Sequence, residues 1–364
     1  MLLNVLNLKK EGFGLDISDR SMKLVRLEKR RKRKLIVSFG RIEVPPNIIK
    51  AGEIKEIDKL ASLIKKLIRE SRGKKINTPY VVASLPEEKT FSQVIALPKM
   101  TEEEAKQAIR FEAEKYIPYS VNDVYLDCQK VIIENAPQDR TYVLFTALPK
   151  KTVDKCVQCL RIAGLKPVAL EVESQSTIRA IFDQKIEKLP PTLVLDIGTT
   201  RTGFIIFSGT AIRFTTSIPV SSGSFTRSIS KALKIDIEKA EKLKQMYGIT
   251  RKGKKGEGVF EALVPPLTDL TEQIKKYIDY YHTRAQKDPS FIDGIQIEKI
   301  ILTGGGAKMK GLNKFFQEQL NIPTEIANPL VNVEPPPYFP KDQALEYTNA
   351  IGLALRSLEE NELY

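Results

Sequence analysis

Tryptophan is absent from the 364 residues, histidine occurs once and cysteine three times. The single imidazole, His282, cannot supply the paired histidines of common zinc centres. Its neighbours Tyr277, Tyr280, Tyr281 and Arg284 offer no triad either. Cys156 and Cys159 have CxxC spacing, but no second pair completes a four-thiolate site, and they read as small core residues on a helix. So few cysteines agree with a reducing compartment. No run of about 18 apolar residues occurs, which excludes a transmembrane helix. The opening stretch, Met1-Leu2-Leu3-Asn4-Val5-Leu6-Asn7-Leu8-Lys9-Lys10, has its charges after a short apolar run, where a secretory signal has them before it. A cytoplasmic location is the expectation.

The formal net charge is +13, and 42% of the residues are hydrophobic. That apolar share supports sizeable cores, and the length exceeds one ordinary core, so two to four compact units are expected. The positive charge is concentrated. Lys29-Arg30-Arg31-Lys32-Arg33-Lys34 lies between strand-like runs and reads as a hairpin tip; Arg251-Lys252-Gly253-Lys254-Lys255-Gly256 reads as a flexible loop. Solvated tips, an anionic membrane surface and nucleic acid all stay open for these runs. The aromatic-interleaved basic groove of single-strand binders is missing.

The most informative stretch is Leu195-Asp196-Ile197-Gly198-Thr199-Thr200-Arg201-Thr202-Gly203, followed by Phe204-Ile205-Ile206-Phe207. It reads as a strand ending in an acid, a Gly/Thr turn and a second strand. Hydroxyls and amides at such a turn suit a phosphate, and a carboxylate at the strand end suits magnesium, directly or through water. Gly14-Leu15-Asp16-Ile17-Ser18-Asp19-Arg20-Ser21-Met22-Lys23 repeats the device 180 residues earlier. Two related halves, each giving a hairpin to a shared cleft, are expected.

In chain order, residues 12–44 read as a meander with strands near 13–17, 22–28 and 35–44. A helix is expected over 54–72 on the stripe Leu60, Leu63, Ile64, Leu67 and Ile68, then a strand over 79–85 buried on both faces. From residue 86 the pattern becomes a strand over 90–97, a helix opened by the capping box Thr101/Glu104 and running to Ile117, strands near 123–133 and 141–148, and the cysteine helix. This β-α-β-β-α segment reads as an insertion in the first half, to which a strand over 167–173 and a helix over 174–182 return. Further on, Ser221-Ser222-Gly223-Ser224-Phe225-Thr226 reads as a loop capping a helix over 227–234. Other helices are expected from Asp236 and over 267–286, 312–320 and 342–359. A strand over 297–302 runs into Thr303-Gly304-Gly305-Gly306-Ala307, whose glycines let the backbone approach a flat ligand closely. This turn is neither a Walker loop nor GxGxxG.

The two Asp-centred hairpins, Ala240-Glu241-x-x-Lys244 on a helix, and the strand ending in Gly304-Gly305-Gly306 together resemble the actin-like ATPase superfold. The inserted segment resembles that of the FtsA division proteins. More specific blocks are similar to the PilM family of type IV pilus assembly proteins: Gly14-Leu15-Asp16-Ile17 with Ser21 and Lys23, Leu97-Pro98-Lys99-Met100, Ala108-Ile109-Arg110-Phe111-Glu112-Ala113-Glu114-Lys115-Tyr116-Ile117-Pro118, Asp196-Ile197-Gly198, and Gly352-Leu353-Ala354-Leu355-Arg356. The similarity runs from about residue 12 to 357. It implies an α/β, actin-like (ribonuclease H-like) duplicated fold, with a first half over 12–85 and 167–190, an FtsA-type inserted subdomain over 86–166, and a second half over 191–357.

The resemblance also implies ATP or ADP with Mg2+. Ser18, Ser21, Lys23, Gly198, Thr199, Thr200 and Thr202 would face the phosphates, and Asp16 and Asp196 would orient magnesium. Glu241 and Lys244 would meet the ribose and base, with Gly304, Gly305, Gly306 and Ala307 beneath the adenine. Ser18 departs from the family's usual glycine, adding a side chain beside the phosphates. No motif marks a catalytic residue. Glu171, Glu173 and Gln175 are candidates for positioning water, and slow or negligible turnover is expected.

Three functions follow. The first is an ATP-binding cytoplasmic scaffold of the pilus inner-membrane assembly complex, docking the N-terminal tail of a PilN-like membrane protein. Other pilus components are implied as partners, anionic lipid would attract the basic tips, nucleic acid is not a partner, and self-association stays open. The second is a small-metabolite kinase of the same superfold. The third is an FtsA-like filament, ranked lower because the acidic ending Glu359-Glu360-Asn361-Glu362-Leu363-Tyr364 lacks that family's amphipathic helix. A type II secretion component would read similarly to the first.

Overall fold

The structure, a computed structural model, describes residues 11–131, 133, 137, 139–186, 188–285 and 296–359. The apolar N-terminal stretch, the expected helix end at Gln286 and the ending after Glu359 lie outside the described residues. The chain forms two compact units. One comprises 1–86, 152–183 and 329–364; the other comprises 87–151 and 184–328.

The first unit holds a six-stranded sheet in the order Lys166–Val172, Tyr80–Leu85, Phe13–Ile17, Ser21–Arg30, Arg33–Glu43 and Arg72–Gly73. Phe13–Ile17 runs antiparallel to Ser21–Arg30 and parallel to Tyr80–Leu85, which in turn is parallel to Lys166–Val172. The basic run is the tip of the second hairpin, where Arg31 turns the chain at φ 56°. Helix Ile57–Glu70 buries Leu60, Ala61, Ile64 and Leu67, close to the predicted stripe.

The second unit repeats this plan. Its sheet runs Thr324–Ile326, Lys299–Thr303, Leu189–Ile197, Thr202–Gly209 and Ala211–Ile218, with the same parallel and antiparallel relations. The duplication extends to single residues. Asp16 pairs across its hairpin with Lys23 as Asp196 does with Gly203, each one residue before the strand end. The repeated Leu-Asp-Ile therefore marks one structural position in both units.

Three more strands, Phe91–Pro98, Arg140–Pro149 and Val124–Lys130, continue the second sheet, joined to Ala211–Ile218 through the pairing of Phe214 with Gln93. Helix Glu102–Ala113 covers them. Its capping box is formed by Thr101 and Glu104 as expected. Ala105, Ile109 and Ala113 pack on Ile95, Val143 and Phe145. The helix stops at Ala113 rather than Ile117, where the amides of Lys115 and Tyr116 bond only three residues back, to the Glu112 and Ala113 carbonyls, and tighten the end into a turn.

Other segments differ from expectation. The cysteine helix, Lys150–Ile162, belongs from Thr152 onward to the first unit rather than standing with the inserted segment. There Lys155 pairs with Glu53, and the Cys159 thiol donates to the Ile57 carbonyl. The last helix, Thr348–Arg356, also belongs to the first unit rather than the second half. Its backbone lies against Phe13–Ile17 so closely that a Cβ at Gly14 would strike Ala350 and Ala354, and one at Gly352 would strike Ser176. The Gly352-Leu353-Ala354 block is thus a packing requirement.

The run Arg251–Gly256 is helix from Gly253 rather than a flexible loop. Helix Gly253–Ala285 continues through Pro265 and Pro266. Proline removes an amide and normally breaks a helix. Here the amide lost at Pro266 would have met the buried Ala262 carbonyl, and the Ser228 hydroxyl donates to that oxygen instead, at 2.6 Å. The carbonyl that Pro265 leaves without its helical amide belongs to Glu261, an exposed residue. His282 accepts from the Ile297 amide at 3.4 Å, a structural role.

Candidate functional site

In the first unit, the hairpin turn is closed by the Ser18 amide donating to the Ser21 carbonyl, 3.1 Å. Asp16 is only 2% exposed. Its carboxylate pairs with Lys23 Nζ at 3.0 Å and accepts from the Ser18 hydroxyl at 3.3 and 3.4 Å and from Ser84 at 3.5 Å. Ser84 in turn accepts the Ile17 amide, 2.8 Å, which fixes the strand end. A buried carboxylate kept by one ammonium and two hydroxyls is strongly held, and removing Lys23 would leave it uncompensated. Ser21 is buried in the same turn. The sequence pattern missed Ser84, which lies one strand away with nothing local to mark it.

In the second unit, the Gly198 amide donates to the Arg201 carbonyl at 2.9 Å, making a tight four-residue turn. The turn is fastened to helix Ser222–Leu233, whose Ser222 and Gly223 amides donate to the carbonyls of Gly198 and Thr199 at 3.0 and 3.1 Å. This helix starts at Ser222, not near 227, because Ser221 and Ser224 form a capping box. Thr199 is exposed and Thr200 half-buried, so both stand at the turn surface. Thr202 does not. It is fully buried, and its hydroxyl donates to the Val220 carbonyl at 2.7 Å, so it secures the hairpin rather than facing a phosphate.

Strand Lys299–Thr303 runs parallel to Leu189–Ile197, with Thr303 opposite Asp196. The glycine turn therefore begins beside the Asp196 carboxylate. Gly304 has φ 79°, and a Cβ there would collide with that carboxylate. A Cβ at Gly306 would meet Ile197 and Ser222. Gly305 is exposed and Ala307 buried.

Ser222 is the joint that sequence reasoning left out. Lys244, on helix Ile237–Tyr247, donates to the Ser222 hydroxyl and carbonyl at 2.7 and 3.1 Å and to Thr226 at 2.8 Å, and pairs with Glu241 at 2.7 Å. The Thr226 hydroxyl donates to Glu241 at 2.6 Å. Burial lowers the pKa of the Lys244 ammonium, and Glu241 offsets only part of that. Burial would raise Glu241, but Lys244 and Thr226 outweigh it and hold the carboxyl below its ordinary value. The hydroxyl cluster Ser221-Ser222-Gly223-Ser224 was the available signal. Thus Asp196, the Gly198–Thr200 turn, the glycine turn, Ser222, Glu241 and Lys244 form one connected polar surface.

Glu171 is committed elsewhere. It accepts from Arg179 at 2.6 and 3.0 Å and pairs with Arg356 at 3.2 Å, which removes it as a water-positioning base. Cys156 and Cys159 are buried free thiols, both pushed up to about 12, first by burial. Among the described residues no group of three or more His, Cys, Asp or Glu could hold a metal, and no helix is long and apolar enough to cross a membrane.

Two units with the same five-strand plan, each placing an aspartate at the same hairpin position, define an actin-like α/β protein. Solved structures share this fold. EutJ from Carboxydothermus hydrogenoformans is 14% identical with TM-score 0.55 over 94% of this chain and 89% of that one. MreB5 of Spiroplasma citri bound to ADP is 13% identical with TM-score 0.54 over 94% of each chain. A PilM-PilN type IV pilus biogenesis complex is much nearer, at TM-score 0.80 and 27% identity over 97% of this chain and 100% of that one. The family model for type IV pilus assembly protein PilM matches residues 14–358, and the chain belongs to that family. Cell division protein FtsA is a more distant relative. The Pseudomonas aeruginosa protein is 26% identical over 62% of this chain and 58% of its own length. The Enterococcus hirae protein is 24% identical over 96% of this chain and 84% of its own. The chain spans about half the length of the Pseudomonas protein and of its Neisseria meningitidis counterpart.

Proposed function

We propose that the chain is a nucleotide-loaded cytoplasmic docking protein of the type IV pilus machinery, gripping the N-terminal tail of a PilN-like membrane protein. Full-length similarity to the PilM-PilN complex supports the partner. The observation that carries the reading is a set of exposed aromatic side chains on and just after helix Glu102–Ala113. Phe111, on the helix side away from the core, is 77% exposed, and Tyr116 and Tyr119 are each 44% exposed. Large apolar groups left in water mark a surface that another chain covers, and aromatic anchors dominate such contacts.

ATP or ADP is the proposed cofactor, as the fold relative bound to ADP suggests. The residues present fit it. The Gly198–Thr200 turn and the glycine turn offer backbone amides beside Asp196. Glu241, 40% exposed, is the better ribose contact; Lys244 positions it and Ser222 rather than reaching a ligand itself. Asp16 with Lys23 and Ser18 is the first unit's proposed phosphate and magnesium group. A single carboxylate suits an ion that keeps its waters and arrives with phosphate. Bound nucleotide would supply charge and shape to the hairpins, not a marked hydrolytic step.

The test is a synthetic N-terminal peptide of the organism's PilN-like protein, titrated by fluorescence anisotropy. Phe111→Ser is expected to weaken binding by on the order of tenfold or more, as removal of an interface anchor does, with unchanged melting temperature. Equal affinity in wild type and Phe111→Ser would refute docking on this surface.

A further inference from the structure

Residues 227–255 contain ten lysines and arginines against three acids, a net +7 of the chain's +13. A cavity of about 570 Å³ opens in this basic stretch, between the end of helix Ser222–Leu233, helix Ile237–Tyr247 and the start of helix Gly253–Ala285. Leu233, Ile235 and Leu243 give it an apolar floor. Lys239, Lys242, Lys254 and Lys255 form its rim, and no acid is among its described lining residues. Lys239 pairs with Asp236 at its edge. Gly258 lets the long helix approach, since a Cβ there would sit 3.3 Å from Leu233 Cδ2.

The cavity is separate from the nucleotide surface. Along helix Ile237–Tyr247, residues 239, 242 and 243 share one face by helical spacing, while Glu241 and Lys244 lie on the opposite face and turn to Thr226 and Ser222.

We propose that this cavity is a second docking site, for an acidic peptide segment of a protein partner that inserts one apolar side chain. The volume lies in the range of sites that enclose a ligand group. Lysines on two helices, facing across an apolar floor, complement a segment with acids on both sides of an anchor. The concavity decides against a bilayer. A flat headgroup layer would meet the lysines but leave Leu233, Ile235 and Leu243 below it untouched, whereas a membrane-binding face presents its apolar residues outward.

The probe is a set of synthetic nonapeptides with Leu, Ile, Phe or Met at the centre and Asp or Glu elsewhere, tested on the full chain. A matched set with Ser for the acids is the control, and phosphatidylglycerol vesicles are a separate probe. Saturable binding of acidic members is expected. Lys242→Glu/Lys254→Glu/Lys255→Glu should weaken it by on the order of tenfold, as losing several rim ion pairs does, and added salt should do the same. Gly258→Met, which fills the floor without changing charge, should also weaken it. Circular dichroism confirms folding, and retained PilN-type peptide binding by both variants separates this site from the aromatic surface. No acidic peptide binding, or binding indifferent to either variant, overturns the proposal. Vesicle binding lost on charge reversal, without peptide binding, would assign the lysines to the membrane and overturn it as well.

Discussion

Replacing Ser228 by alanine removes one hydroxyl, yet the long helix should feel it strongly. The Ser228 hydroxyl occupies the Ala262 carbonyl, which Pro266 cannot serve, and Ala262 is only 6% exposed. A buried acceptor left without a donor costs about 1–3 kcal/mol. The magnitude depends on the proline. In a Pro266→Ala background the helix regains its own amide at that carbonyl, so Ser228→Ala should then cost no more than about 0.5 kcal/mol. The coupling energy from the double-mutant cycle should be about 1–2 kcal/mol. Urea unfolding followed by circular dichroism, with exchange of amides over 253–285 to localise the effect, measures all four proteins at unchanged m-value. An equal cost of Ser228→Ala in both backgrounds would refute the argument. The same helix walls the lysine-rimmed cavity, so its integrity bears on docking there.

Other perturbations test the remaining parts. Gly304→Ala puts a Cβ into the Asp196 carboxylate at a left-handed backbone position; a loss of about 1–3 kcal/mol and weaker nucleotide binding are expected by thermal shift with and without ADP. Glu53 is held down to about 2, first by its hydrogen bond from Lys55 and then by that from Lys155. Its folded pKa lies below the unfolded one, so its contribution is present above about pH 4.5 and fades as pH falls towards 2; Glu53→Gln should flatten that part of the acid-unfolding curve. Because burial keeps Cys156 and Cys159 as neutral thiols at pH 8, iodoacetamide should label half-buried Cys128 first and reach the other two only on unfolding. Equal labelling of all three in the folded protein would contradict that.

The hairpins were legible because an acid, small turn residues and apolar flanks are local signals. Repetition of Leu-Asp-Ile then revealed the duplicated plan, and the Thr101/Glu104 box fixed one helix start. What escaped the pattern depends on distant partners. Pro265-Pro266 argues for a break, and only Ser228, more than thirty residues away, permits continuity. The return of Thr348–Arg356 to the first unit rests on glycines at 14 and 352, far apart in sequence. Within the second unit the Asp196 hairpin, the glycine turn and helix Ile237–Tyr247 meet, but residue type did not give the direction of each side chain. Thr202 alternates inward while Thr199 stands outward, and Lys244 is consumed by Ser222, Thr226 and Glu241.

Nucleotide-coupled docking is the central claim, and calorimetry of the PilN-type N-terminal peptide against the full chain, with and without Mg-ATP, tests it most directly. Saturable binding whose affinity changes when Mg-ATP is present is the predicted result. A folded, nucleotide-bound protein that takes up no peptide in either state would contradict it.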